Sequence, residues 1–415
     1  MPGQDDFSNY IAVARSKLCR LGMYLGNVGY IVKPASDALV QYGKTDNMNM
    51  TGRERLWAAL TCQPVDELPI LLQGMDPRSS TRKYRDSSWD PVFERNAEAG
   101  DILTWWWEKT APTDQGDVQE ERRCLERTDT HDRWETIFTT PDGRLKQVYR
   151  DQFLTGATEE YAVKSMADLP AAKQILSQPV KVDEQATRKD FEKVTRCPNT
   201  LPMLLTNDPV ERVIELLGPT QYCFMMIDAE KELLELVDIA AGPIMRKMED
   251  VLRIGIQPVI WLDGSEMAVP PYAGPARFAK LVFPYHKRIV DIAHKYGCPV
   301  LTHCHGPIGG VLDQFLATGT DATHPFEAPP SGDITPQELK ELAGGSLCAV
   351  GNIQLDDMLR APRRKIAEQA DKLLKVFDDW PKGGFILSVS ATPTCREAPA
   401  QAVENYRFLL EYKNT

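Results

Sequence analysis

Residues 299–310 read PVLTHCHGPIGG: an apolar run, two histidines flanking a cysteine, then a glycine-proline turn that opens a helical pattern. Side chains alternate along a strand, so a strand over 299–304 sends His303 and His305 to one side and Cys304 to the other. Two imidazoles then share one wall of the interior. A strand that ends in polar groups and passes into a helix is the catalytic rim of a parallel α/β protein.

On either side of this stretch, short apolar runs keep alternating with helical patterns. Strands are expected at 68–72, 101–107, 201–206, 257–263, 299–304, 322–326, 347–352 and 384–388. Eight strands alternating with helices specify the α/β class and a (β/α)8 TIM barrel. Ahead of the first strand, Thr51 is placed to cap a helix. Glu54 completes a capping box, Leu56, Ala59 and Leu60 give an apolar side, and Pro64 stops the helix. The barrel is assigned to 51–415. Residues 1–50 read as an N-terminal helical extension, packed on the fold or forming a contact in a homodimer.

Two segments fit the barrel less simply. DILTWWW (101–107) carries three consecutive tryptophans, which a strand must alternate: Trp105 and Trp107 on one side as core or as the wall of a substrate pocket, Trp106 toward a helix. Residues 131–153 alternate apolar and polar on both sides of Pro141-Asp142-Gly143, which marks an inserted β-hairpin near one mouth. Residues 159–196 read as charged and helical.

Composition narrows the function classes. The chain has 415 residues, 42% hydrophobic and 26% charged, enough for a large core. Its 59 acidic against 48 basic residues give a net charge of -11 with no basic block, which argues against binding nucleic acid or an anionic membrane. Nine scattered cysteines without a CxxC pair read as reduced thiols. No apolar run reaches the roughly 18 residues of a membrane span, and the acidic start lacks the order of a secretory signal. A cytoplasmic location is expected.

In a TIM barrel the chemistry sits at the C-terminal ends of the strands. Standing there are Gln73 and Asp76, Asn207 and Asp208, Asp263 and Glu266, His303 and His305, Glu327, Asn352, and Ser388 with Cys395 beyond. His303, His305, Glu327 and Cys395 are zinc-binding types, and a catalytic zinc uses three protein ligands and leaves a position open. The metal-free alternative has the histidines hydrogen-bond a carboxylated substrate with Asp263 as anchor or acid; the bland alternative is a structural pair. The turn 329–333 (PPSGD) either closes over substrate or is plain loop, and Gly309-Gly310 opens a helix without a phosphate motif around it. His324 stands one residue out of phase with Glu327. His131, His286 and His294 fall on polar surface patterns.

TGRERLWAALTCQPVDELP (51–69), the run 261–293 from WLDGSEMAVPP onward, THCHGPIGGVLDQFLATGTDATHPFEAPPSGDI (302–334) and LCAVGNIQLDDML (347–359) together resemble the uroporphyrinogen decarboxylase superfamily across 51–413. The resemblance implies a (β/α)8 barrel with its site at the C-terminal mouth. True uroporphyrinogen decarboxylases, which need no cofactor, hold substrate carboxylates with an arginine-rich RQAGR-type motif. Here that place reads LLQGMDPRSSTRK, with Arg78 and Arg82 as approximate substitutes.

The other branch is that of zinc-dependent methyltransferases, which serve corrinoid proteins or thiols and carry His-x-Cys-Gly plus a later cysteine. This chain has His303-Cys304-His305-Gly306, with Cys395 as the later cysteine, so His305 replaces a thiolate with an imidazole. The resemblance therefore implies a zinc-dependent methyltransferase or demethylase acting on a small molecule, with a corrinoid protein as a partner. Its metal ligands would be His303, His305, Glu327 and Cys395. Asp263, Glu327 and His303 would be catalytic, while Gln73, Arg78, Trp105, Asn207, Glu266 and Asn352 would bind substrate. The alternatives are a cofactor-free decarboxylase of a small aromatic or heterocyclic acid and a non-catalytic binding barrel.

Overall fold

The expected strands form in the computed structural model, which describes residues 49–111 and 116–414. They are β1 (Ile70–Leu71), β2 (Ile102–Trp106), β3 (Thr200–Asn207), β4 (Val259–Asp263), β5 (Val300–His303), β6 (Ala322–His324), β7 (Cys348–Val350) and β8 (Phe385–Ser388). They hydrogen-bond in sequential order from β2 to β8, with β1 beside β8 and every pair parallel. The sheet curls into a TIM barrel, nearly closed between β1 and β2. The expected extension over 1–50 lies almost wholly outside the described residues.

Two apolar clusters follow from the strand alternation. Leu103, Met203, Val259, Trp261, Leu301, Ala322, Val350 and Ile386 fill the barrel interior, while the opposite faces, such as Ile260, Val300 and Phe385, pack against the outer helices. The helix Gly52–Leu60 closes the floor: its capping box forms as read, and Leu56, Ala59 and Leu60 enter the interior cluster. Arg55, on the same helix, donates to Asp66 at 2.7 Å and to the fully buried Asp101 at 2.6 Å, and Asp101 also accepts the Ile70 N–H at 3.0 Å.

The insertion between β2 and β3 is larger than a hairpin. The expected pair forms as Asp132–Thr140 and Gly143–Asp151, joined through Pro141-Asp142, but it is flanked by Gln119–Arg127 and Gly156–Glu160 in a four-stranded antiparallel sheet. The flanking strands are charged and largely exposed, so neither carries the apolar alternation that marks a half-buried strand. Phe138, Leu145 and Val148 join the outer core, and Phe153 stacks on Tyr84 of the loop after β1 at 5.0 Å. The stretch 159–196 is likewise not one helical run: it holds the helices Leu169–Leu176 and Glu184–Thr195 with the short strand Lys181–Val182 between them. Trp106 faces a helix as expected, donating to Asp190 at 3.0 Å, whereas Trp107 lies past the strand and is exposed. No helix among the described residues is long and apolar enough to cross a membrane.

Candidate active site

The site is built by register. Asn207 pairs with Asp263, Asp263 with His303, and His303 with His324, so four polar residues form one row across β3 to β6. Each shares its strand face with interior residues two positions earlier: Trp261 before Asp263, Leu301 before His303, Ala322 before His324. The row therefore lies on the barrel interior, at the C-terminal ends of the strands.

His303 is held from several sides. Trp261 stacks on it at 4.7 Å and 28°, Trp105 meets Trp261 edge-on at 6.5 Å, and the His303 Nδ1 lies 2.9 Å from the Nδ1 of His324. Its Nε2 looks toward Asp263, whose Oδ1 is 3.8 Å away. Glu266, on the turn after β4, brings its carboxylate in and accepts the backbone N–H of His305 at 3.1 Å. One donor atom each from Asp263, Glu266 and His303 then lie within 4.8 Å of one another, the one such group of three among the described residues.

Burial governs the acidities here, with neighbouring charges second. Burial, then the neighbouring Glu266, pushes the Asp263 carboxyl up to about 7, and burial also raises Glu266. Glu211, behind them, is pushed up to about 8 by burial and then by Asp263, and its buried Oε2 has no hydrogen-bond partner among the described residues. Gly264 makes room for it at φ +105°, where any side chain would collide with the Glu211 carboxylate. Burial, then the neighbouring His324, holds His303 well below the usual imidazole range, and burial pushes His324 down to about 4.

The Glu211 shift sets a pH dependence. The unfolded chain loses this proton near the ordinary value of 4.5 and the folded chain only near 8, so stability falls as pH rises through that window. In metal-free protein, Glu211→Gln is expected to leave stability unchanged at about pH 4 and to raise it at about pH 8. Urea unfolding at both values checks this.

His305 and Glu327 form a second unit beside the first. The ring of His305 meets that of His303 edge-on at 4.8 Å, so the two histidines do share a wall. The His305 Nδ1 bonds Glu327 at 3.2 Å, and Glu327 also accepts the Gly306 N–H at 3.0 Å. Burial is the largest single influence and works to raise Glu327 and to lower His305. Their mutual bond and attraction, joined by the Gly306 N–H on Glu327 and by Glu266 and Asp263 around His305, together hold the carboxyl below and the imidazole above their ordinary values. The turn 329–333 is occupied by structure: Asp333 accepts the Gly309 N–H at 2.7 Å, and Ile334 N–H bonds the Glu327 carbonyl at 3.2 Å.

The remaining candidates scatter around this pair of units. Gln73 and Asn352 each keep a buried side-chain oxygen without a partner among the described residues. Asn207 lies in the row, and Trp105 lines the interior beside Met203, its register partner. Arg78 is half exposed and folds back on Asp76, with 3.5 Å between Nε and Oδ1, while Arg82 pairs with Asp90. Cys395 stands apart from the group of three. Buried Arg85 takes the carbonyls of Pro393 at 2.6 Å and Cys395 at 3.4 Å, and the cysteine packs against the outer core.

Two residues escaped the sequence reading. His324 is completely buried and belongs to the row; its signal was the interior phase it shares with Ala322. His286 is buried too, contrary to the surface expectation. Its Nε2 lies 2.7 Å from Asp208, which also accepts from Ser265 at 2.8 Å and caps the helix Pro209–Asp228. That network pins the loop after β4, and with it Glu266. Its signal was the apolar stripe Val282, Tyr285, Ile289, Val290 and Ala293, on which His286 stands.

Comparison with known proteins agrees with this architecture. The chain is similar to a methyltransferase from Methanosarcina mazei at 16% identity, over 88% of this chain and 98% of that one, with a TM-score of 0.55; at that identity the likeness is one of fold. The YdhT protein from Bacillus subtilis (12% identity, 54% and 70% covered, TM-score 0.31) and GH26A from Muricauda (9%, 82% and 90%, 0.34) are too dissimilar to carry an argument. No curated protein matches the chain. The family model for uroporphyrinogen decarboxylase (URO-D) matches residues 196–413, the half that holds β3 to β8 and both units of the site, and the protein belongs to that family.

Proposed function

We propose that the chain is a metal-dependent methyltransferase or demethylase acting on a small molecule at the barrel mouth. The observation that carries this reading is the convergence of Asp263, Glu266 and His303 within 4.8 Å. Two close carboxylates and an imidazole nitrogen are a donor set suited to zinc or a similar divalent ion, and a cation would offset the burial that pushes both carboxyls up. Bound there, the metal would supply Lewis acidity to the heteroatom that the methyl group leaves.

The chain's own residues supply the rest. Glu327 takes the His305 Nδ1 and strengthens that imidazole's hold on its protons, which leaves Nε2 as the atom to protonate the departing heteroatom. Gln73 and Asn352 offer free oxygens to a polar substrate, and Trp105 and Trp261 give it an aromatic wall. With Cys395 outside the group of three, the donor set holds no thiolate, which favours an O-methyl substrate over thiol activation. A corrinoid on a partner protein is the methyl acceptor in this reading. The acidic mouth, with its arginines paired elsewhere, disfavours a porphyrinogen bearing many carboxylates.

A second reading rests on Asp263, which, pushed up to about 7, is divided between its protonated and ionised forms under neutral conditions and suits a decarboxylase that protonates a carbanion. Metal analysis separates the two. The purified chain is expected to carry about one divalent ion, and methylcobalamin should form from cob(I)alamin and a panel of O-methyl ethers. A chelator should abolish that transfer and zinc restore it. Metal-free protein that ignores chelator while releasing carbon dioxide from small aromatic acids would overturn the first reading in favour of the second.

A further inference from the structure

We infer that His324 is a positioning residue: it fixes His303 in the tautomer protonated at Nδ1, so that the Nε2 lone pair of His303 is offered at the mouth. The inference begins at the barrel wall. The His324 Nε2 lies 3.0 Å from the carbonyl oxygen of Val389, and a carbonyl only accepts, so Nε2 carries the proton. His324 is completely buried, and among the described residues no carboxylate bonds it. An imidazolium there would be an uncompensated buried charge, so the ring is neutral and its Nδ1 is bare.

The bare Nδ1 lies 2.9 Å from the Nδ1 of His303. The two rings are inclined by only 20° with centroids 5.1 Å apart, the geometry of an in-plane bond between ring edges. One proton must lie between the two nitrogens, and it belongs to His303 because His324 has already placed its own at Nε2. The His303 Nε2 then holds a lone pair. Asp263, at 3.8 Å, is too far for a hydrogen bond to it, so no proton on Nε2 is anchored there. Trp261 stacks on the ring and limits its rotation.

The relay Val389, His324, His303 therefore points one electron pair at the carboxylates of Asp263 and Glu266. The lone pair and two close carboxyls face one another, and what bridges them must bring positive charge or a donor hydrogen. His303 serves here as a ligand or as a base; it has no proton on that side to give. Fixing a ligand histidine through its second nitrogen raises its basicity and sets its orientation. What the lone pair is for rests on the proposed metal chemistry, whereas the tautomer does not.

Histidine 15N chemical shifts of the full-length, metal-free chain test the tautomer directly, with the His303 signals assigned through a His303→Asn variant. His303 is expected to be protonated at Nδ1 and bare at Nε2, and His324 the reverse. Leucine at 324 removes both bonds, while asparagine retains an acceptor oxygen toward His303. His324→Leu should leave His303 exchanging between tautomers and weaken zinc binding about 10- to 100-fold, with His324→Asn close to the parent. A proton on the His303 Nε2 in the parent, or a leucine variant that keeps both the tautomer and the zinc affinity, overturns the inference. If the parent binds no zinc, the metal reading falls and the nitrogen shifts alone decide the role of His324.

Discussion

His303→Asn is expected to weaken zinc binding by more than about 100-fold and to stop methyl transfer, while the fold stays within about 1 kcal/mol of the parent. Asparagine keeps an amide N–H where Nδ1 stood, so the bond to His324 can persist, and it deletes only the atom that faces Asp263. Outer partners of a metal site are each worth about 10- to 100-fold, and a ligand atom exceeds them. Cys395→Ala is the matched control: with its carbonyl held by Arg85 and its side chain outside the group of three, it should leave zinc binding unchanged. Calorimetric titration of both variants, with urea unfolding to compare their stability, checks the pair. A loss of affinity in Cys395→Ala as well would return the ligand set to that of the sequence reading, in which His303 and the Cys395 thiolate share the metal.

The largest effect on stability is expected at the floor of the barrel. Arg55→Ala should cost about 3–5 kcal/mol, because it removes the guanidinium from the fully buried Asp101 and the partly buried Asp66. The same side chain donates to the Met50 carbonyl at 2.9 Å, so the change also loosens the entry to the helix Gly52–Leu60. Lysine should rescue little, since one ammonium cannot reproduce the fork that reaches both carboxylates. A loss below about 1 kcal/mol in urea unfolding would mean that water reaches the two aspartates as readily as the guanidinium does.

The eight strands were legible because a parallel strand covered on both faces must be a short apolar run, and turns bracket each one. The His303 and His305 pair was legible because two-residue spacing alone puts both on one wall. The Asp263, His303 and His324 row was not, since register between strands depends on how the sheet is sheared, and no single strand records it. His324 was therefore weighed only against Glu327, its neighbour in sequence. His286 was misjudged for a related reason: a lone histidine on a helix reads as polar until the stripe around it is seen to be the buried face. The charged flanking strands of the insertion left no alternation to read because edge strands of a small exposed sheet bury almost nothing. Cys395 follows an irregular loop whose path is set by Arg85, more than 300 positions earlier in the chain.

The row across β3 to β6 carries a consequence for how such a protein can diverge. Its four side chains meet because four strands stand at matching heights, each contributing one rung. Exchanging one rung changes the donor set and leaves the other three in place, so new chemistry is reachable by single substitutions. Adding or deleting one residue within any of these strands turns that rung from the interior to the outer face. The scaffold thus tolerates experiment in composition and forbids it in length.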